Sequence, residues 1–209
     1  MIRILIADDH SIVRRGLKEI LLDEFPDAVV SEVNNGVELL EKARKESWNI
    51  IISDLSMPGR NGLETLKQLK TESNKTPVLI LSMHPEDQYA LRVLKAGAAG
   101  YLTKESASDE LVNAVRKILD GRRYITPSIA EKLAENLGQE SPGTLHETLS
   151  DREFDVLKMI ASGKTVSEIA DIFSLSVNTV STYRSRILEK MNMKTNAELT
   201  HYAISKNLV

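Results

Sequence analysis

The first half of the chain alternates short apolar runs with amphipathic stretches. IRILIA (residues 2–7), AVVSEV (28–33), NIIISD (49–54), PVLILS (77–82) and AGYLT (99–103) are brief and rich in β-branched residues. Most lack strict polar alternation, so they predict strands covered on both faces. Between them, apolar residues recur at helical spacing: Ile12, Val13, Leu17, Ile20 and Leu21; residues 37–46, with Glu38, Glu41, Lys42 and Lys45 on the outer face; Leu63, Leu66 and Leu69 after the turn PGRNG; residues 87–95; and Leu111, Ala114, Val115 and Ile118. Gly16 is expected to let the first helix pack closely on the sheet, and Ser106 and Ser108 to cap the last helix. Strands alternating with helices predict a doubly wound α/β fold over residues 1–121, with a five-stranded parallel sheet built from right-handed βαβ units.

The pattern changes at residue 122. Thr126-Pro127 predicts a helix start with proline in the first position, and IAEKLAENL carries an amphipathic stripe that ends at Gly138. QESPGTLHET then predicts a polar, flexible tether in which His146 is solvated, so residues 122–146 are assigned to a linker with one short helix. From residue 147 the periodicity is helical throughout. Ser150/Glu153, Thr165/Glu168 and Thr195/Glu198 form S/T-x-x-E capping boxes ahead of apolar stripes, and a further helix must begin near Ser176 to Thr179 to place Val180, Ile187, Leu188 and Met191 on one face. Residues 147–209 therefore predict a smaller all-α domain of four helices. Two of them are joined only by Ser174-Leu175-Ser176, the signature of a helix-turn-helix.

Composition narrows the chemistry. The 209 residues contain no cysteine, which excludes disulfides, thiolate metal sites and a cysteine nucleophile. No apolar run reaches the ~20 residues needed to cross a bilayer, and MIRILIADD lacks the regions of a signal peptide. A soluble cytoplasmic protein without membrane attachment is expected. The net charge of -3 hides an uneven distribution. Residues 147–209 hold eight basic and eight acidic residues, which leaves 19 minus 22, or -3, for residues 1–146. From residue 174 onward five basic residues face two acidic ones, so positive charge gathers around the second helix of the helix-turn-helix. That helix carries Thr179, Ser181, Thr182, Tyr183, Arg184, Ser185, Arg186 and Lys190, a set of small hydroxyls and cations suited to entering a major groove between phosphates.

The candidate chemistry of the first domain lies at its strand ends. In a parallel sheet Asp8, Asp9, Asp54, Ser82 and Lys104 share one edge, where open α/β sheets gather their ligands. Each residue alone has an ordinary structural role, such as a turn, a cap or a surface charge. Five such accidents at the same ends of successive strands are hard to reconcile with that reading. The carboxylates offer hard oxygen donors for Mg2+, which shares phosphate oxygens readily. Lys104 and Ser82 would then meet a phosphoryl group, with Asp54 as the nucleophile that forms an acyl phosphate.

The motifs ADDH, SDLSMPG, LILS and GYLTK resemble a bacterial response-regulator receiver domain across residues 1–121. The resemblance implies that Asp54 is the phosphoacceptor, that Asp8, Asp9, Asp54 and the Ser56 backbone carbonyl hold Mg2+, and that Ser82 and Tyr101 form a switch pair. One departure is Glu105, which follows Lys104 where many receivers have proline. Ser56 and His84 stand at positions similar to those that tune phosphoryl lifetime. The segment from LSDREFDVLKMIASG to NAELTHYA resembles the LuxR-type DNA-binding domain, and the whole chain resembles a two-component response regulator of the NarL/FixJ class. This implies a recognition helix over residues 178–190 and a dimerisation helix over 196–205 carrying Ala197, Leu199 and Thr200. It also implies a cognate sensor histidine kinase, double-stranded promoter DNA with two half-sites, and homodimerisation on activation. Several relatives carry lysines where Ser181 and Ser185 stand, so their target sequences do not transfer.

Three other readings fit less of the sequence. A magnesium-dependent phosphatase would need a substrate pocket and a second acid in an acid/base role, and neither is evident. A flavodoxin-like cofactor carrier would place a glycine- or hydroxyl-rich loop where Asp8 and Asp9 would repel a phosphate. A regulator that works without phosphorylation would leave the acid set unused.

Overall fold

All five apolar runs form strands: β1 (Arg3–Ala7), β2 (Val29–Val33), β3 (Ile50–Asp54), β4 (Val78–Ser82) and β5 (Gly100–Thr103). In this computed structural model, which describes residues 1–137 and 144–209, the chain divides into two units, Met1–Gly138 and Gln139–Val209. The strands are parallel in the order β2-β1-β3-β4-β5, so the winding direction reverses between β1 and β3. Alternate residues of the strands, among them Ile4, Ile6, Ile50, Ile52, Leu79 and Leu81, are fully buried with α1 (Ser11–Glu24) and α5 (Ala107–Leu119). Intervening residues such as Leu5, Ile51 and Ile80 are equally buried and point to the opposite face. That side carries α2 (Gly36–Lys45), α3 (Gly62–Thr71) and α4 (Glu86–Lys95), whose Leu39, Leu66 and Val93 are also buried.

Local chemistry explains where these helices begin. Asn35 accepts from the amides of Val37 and Glu38, and Asn61 accepts from Glu64, which satisfies donors that helix geometry leaves open. Gly36 is obligatory because a Cβ there would stand 2.6 Å from the Arg60 carbonyl oxygen and the Thr65 hydroxyl. Three expectations fail at this level. Gly16 has open space where its Cβ would be, so it mediates no close packing on the sheet. Ile12 is 86% exposed and lies off the buried stripe. Ser106 is the N-cap residue of α5 but makes no side-chain cap, and Ser108 lies inside the helix, because the Ser106 hydroxyl is drawn to Thr103 Oγ1 at 2.7 Å.

Linker residues 122–137 belong to the first unit. Tyr124 forms a parallel bridge with Gly100, donating its amide to the Ala99 carbonyl at 2.8 Å and its hydroxyl to Glu110 at 2.7 Å. A Cβ on Gly100 would meet Tyr124 at 3.0 Å, so glycine makes this approach feasible. Helix α6 (Pro127–Leu137) begins at the expected proline and packs on α4, with Ile129 buried and Thr126 donating to Glu86 at 2.7 Å. Gly138 and the tether around Pro142-Gly143 lie outside the described residues.

In the second unit a 3-10 turn (Leu145–Thr148) leads into α7 (Asp151–Ala161), α8 (Val166–Phe173), α9 (Val177–Lys190) and α10 (Asn196–Ser205). All three capping boxes form in both directions, at Ser150/Glu153, Thr165/Glu168 and Thr195/Glu198. Ser176 caps α9 by accepting from Thr179, and Ser174 turns the chain with a left-handed backbone (φ 53°). The core joins Phe154, Leu157 and Ile160 of α7 to Ile169, Val180, Ile187, Leu199 and Ala203. His146 is not merely solvated. Its Nδ1 lies 2.9 Å from the Tyr202 hydroxyl, and its ring stacks on Phe154 with centroids 5.7 Å apart.

Candidate functional site

Strand register places the acids level with one another. Ala7 pairs with Ser53, Asp54 with Leu81, and Ser82 with Thr103, so Asp8, Asp54, Ser82 and Lys104 emerge within two steps along the sheet edge. They lie at the carboxyl ends of the strands beside the reversal between β1 and β3, the position where doubly wound sheets bind ligands. Asp8, Asp54 and Ser82 are essentially inaccessible to solvent. Lys104 Nζ lies 2.7 Å from Asp8 Oδ2 and 2.7 Å from Asp54 Oδ2, and donates a hydrogen bond to Asp54. The other Asp54 oxygen accepts from the Ser56 amide at 3.1 Å. Asp8 Oδ2 is buried and is held by the Lys104 ammonium.

Electrostatics follow from this crowding. Burial pushes the Asp54 carboxyl above the usual range and the Asp8 charge adds to that, while Lys104 and the Ser56 amide pull against both. For Lys104, burial favours the neutral amine, but the two carboxylates together outweigh it and raise the pKa. The site therefore holds two carboxylates and one cation, a net negative pocket that suits a further cation.

Sequence reasoning missed His10 and the part played by the His84 backbone. His10 Nδ1 lies 2.9 Å from Asp9 Oδ1 and 3.2 Å from Asp8 Oδ1, and donor atoms of Asp8, Asp9, His10 and Asp54 all fall within 4.8 Å of one another. The run Asp-Asp-His directly after a strand was the available signal. The His84 amide donates to Ser82 Oγ at 3.0 Å, and its carbonyl accepts from the Tyr101 hydroxyl at 2.8 Å. One residue of the β4–α4 loop thus connects the expected switch pair, and the Tyr101 ring is fully buried.

On α9, Asn178, Ser181, Thr182, Ser185, Arg186 and Glu189 form one exposed polar stripe at helical spacing. Thr179, Tyr183 and Arg184 are half-buried beside it. Arg184 Nε donates to Asn196 Oδ1 at 2.6 Å, and Lys190 Nζ sits 2.6 Å from the buried Glu153 carboxylate. Both cations are thus engaged within the domain. Asn178, absent from the expected set, is exposed in the first turn of α9. One expected dimerisation residue requires correction. Leu199 is fully buried in the core on the inner face of α10, while Ala197, His201 and Ile204 are exposed and Thr200 is intermediate.

A buried carboxylate–lysine–hydroxyl site at the switch point of a doubly wound sheet, carried on one chain with a helix-turn-helix unit, defines a signal-receiving DNA-binding regulator. Residues 4–116 match the response regulator receiver domain family, and residues 147–203 match the bacterial regulatory proteins of the luxR family. The chain is 36% identical over 209 residues to the response regulator UvrY of Escherichia coli (strain K12), spanning 100% of this chain and 96% of UvrY. It is 39% identical over 209 residues to the response regulator GacA of Pseudomonas protegens, spanning 100% and 98%. A structure of RcsB from Salmonella enterica serovar Typhimurium, bound to promoter rprA in the presence of the phosphomimetic BeF3-, aligns with TM-score 0.63 at 25% identity over 98% of this chain and 100% of that one. The chain belongs to the two-component response regulators of the NarL/FixJ class. It is a phosphorylation-regulated transcription factor and not a metabolic enzyme. No helix among the described residues is long and apolar enough to cross a membrane.

Proposed function

We propose that Asp54 accepts the phosphoryl group from a phosphohistidine of a sensor kinase or from a small acyl phosphate. The observation that carries this reading is the pairing of the buried Asp54 carboxylate with Lys104 beside Asp8 at the sheet edge. An Asp54 oxygen forms the new bond to phosphorus as the bond to the donor breaks; an imidazole leaving from phosphohistidine takes up a proton from solvent, and a carboxylate leaving from an acyl phosphate departs as the anion. Lys104 orients the carboxylate beforehand and then shares its charge with the phosphoryl oxygens. The Ser82 hydroxyl turns its hydrogen toward one of those oxygens, and the His84 peptide carries that movement to Tyr101. The receiver catalyses only this phosphorylation and its reversal.

Mg2+ fits the donors present: the carboxylates of Asp8, Asp9 and Asp54 gather hard oxygens within 4.8 Å of one another. These side chains and the Ser56 carbonyl would hold the ion, which when bound offsets the negative charge gathering on the transferred group.

Phosphorylation then shifts a population between domain arrangements and favours a homodimer. Asn178, Ser181, Thr182, Ser185 and Arg186 face the major groove, Thr179 and Tyr183 flank them, and Arg184 and Lys190 support the helix from within the domain. The exposed Ala197, with Thr200, lies on the dimer face of α10. We assign residues 1–121 to the receiver, 122–146 to the linker and 147–209 to the DNA-binding domain, in a cytoplasmic protein. The test is selection of genomic DNA fragments by wild-type protein and Asp54→Ala, each with and without Mg2+ and acetyl phosphate. Fragments carrying paired half-sites roughly one helical turn apart should be enriched only by treated wild type. Identical enrichment by both proteins under both conditions would contradict the proposal.

A further inference from the structure

The acidic cluster contains one donor that is not an oxygen. His10 is the N-cap residue of α1, with extended backbone (φ -89°, ψ 108°), and its amide donates to Asp8 Oδ1 at 2.8 Å. That bond fixes the residue against the acid, while the side chain remains 64% exposed and open to an entering ion. Its Nδ1 stands 2.9 Å from Asp9 Oδ1 and 3.2 Å from Asp8 Oδ1. Adjacent donors around an octahedral ion with bonds of about 2.1 Å are separated by about 3 Å. Asp8, Asp9, His10 and Asp54 each offer a donor atom to the same cluster, all within 4.8 Å of one another.

We infer that His10 supplies an imidazole nitrogen to the divalent cation of the phosphoacceptor site, which makes this receiver favour borderline transition ions relative to Mg2+. The inference rests on the proposal that the acid cluster is a divalent-cation site. Its chemistry is differential. Mg2+ is a hard ion that prefers oxygen donors and retains its waters, so an added imidazole contributes little to its binding. Ni2+ and related ions bind imidazole well and gain from the same group. His10 therefore acts on selectivity more than on Mg2+ affinity. If His10 only hydrogen-bonded to the acids, it would have no such ion-dependent effect.

The test is calorimetric titration of the full chain with Mg2+ and separately with Ni2+, using wild type, His10→Ala and Asp9→Asn. Pulsed electron paramagnetic resonance of bound Mn2+ is recorded on the same proteins. His10→Ala should weaken Ni2+ binding roughly tenfold while leaving Mg2+ within about twofold, and should abolish the 14N modulation of a histidine ligand in the Mn2+ echo. Equal effects on both ions, or a wild-type echo without histidine modulation, would overturn the inference. In that event, weakening of Mg2+ binding by Asp9→Asn would leave the acid-cluster reading standing. If wild type does not bind Mg2+, or Asp9→Asn binds every ion as wild type does, that underlying reading fails as well.

Discussion

Replacing Lys104 with methionine removes the cation that separates two buried carboxylates while keeping the length and apolar volume of its stem. Lys104 Nζ is 2.7 Å from an oxygen of each carboxylate, and its side chain is only 8% exposed. At an effective dielectric of about 20, each attraction is worth about 6 kcal/mol before desolvation. Asp8 and Asp54, with donor atoms no more than 4.8 Å apart, repel by at least about 3 kcal/mol on the same scale. Removing the ammonium also removes its own desolvation cost, so the expected net loss is that of breaking a buried pair, about 3–5 kcal/mol. Urea denaturation in metal-free buffer near neutral pH measures it. The Asp54 carboxyl, already raised by burial, rises further without Lys104, and an acid whose pKa is raised on folding contributes stability that is lost as pH increases. The deficit should therefore shrink as pH falls through the folded value of Asp54. It should also shrink on adding Mg2+ and in the double variant with Asp8→Asn. A loss below about 1 kcal/mol in metal-free buffer, or a deficit insensitive to Asp8→Asn, would refute the assignment of Lys104 as the electrostatic support of Asp54.

Three further outcomes follow from other parts of the chain. Gly62→Ala would drive a Cβ into the Asp54 carbonyl oxygen, so it should cost about 1–3 kcal/mol in thermal unfolding and slow phosphoryl uptake; unchanged values for both would contradict the packing. Glu153 is held below its usual range because, although burial pushes its carboxyl up, bonds from Lys190 and Ser150 outweigh that; the resulting stability is present above its unfolded pKa and lost as pH falls through the folded value. Glu153→Gln should flatten the acid limb of the unfolding profile by about 1 kcal/mol, and an unchanged limb would show that the Lys190 pair contributes nothing. His146→Ala removes both the Tyr202 contact and the stacking on Phe154, which should lower stability by about 1–2 kcal/mol and speed amide exchange at the start of α7; unaltered exchange there would refute a docked 3-10 turn.

The sheet was readable because strands buried on both faces must be almost wholly apolar, and the residue that ends each run is then conspicuous. Integral strand register carries Asp8, Asp54, Ser82 and Lys104 to one edge without any side-chain detail. The capping boxes were readable for a similar reason, since each satisfies donors locally within four residues. Periodicity was less informative about direction. It places Leu199 on the apolar stripe of α10 but cannot say whether that stripe meets α7 or a second molecule, and Leu199 proves to be core while Ile204 is 58% exposed. Competition between partners was also hidden: Ser106 bonds to Thr103 instead of capping its helix, and Arg184 and Lys190 turn to Asn196 and Glu153. The path from Ser82 to Tyr101 runs through the His84 backbone, whose contribution no side-chain pattern records.

The central claim is that Asp54 takes the phosphoryl group, and intact-mass spectrometry tests it directly. Wild type, Asp54→Ala and Lys104→Met are each incubated with acetyl phosphate, with Mg2+ or with a chelator. Wild type with Mg2+ should gain a single phosphoryl group, Asp54→Ala none, and Lys104→Met much less. An equal gain by Asp54→Ala, or none by wild type while its fold and Mg2+ binding are intact, would contradict the account.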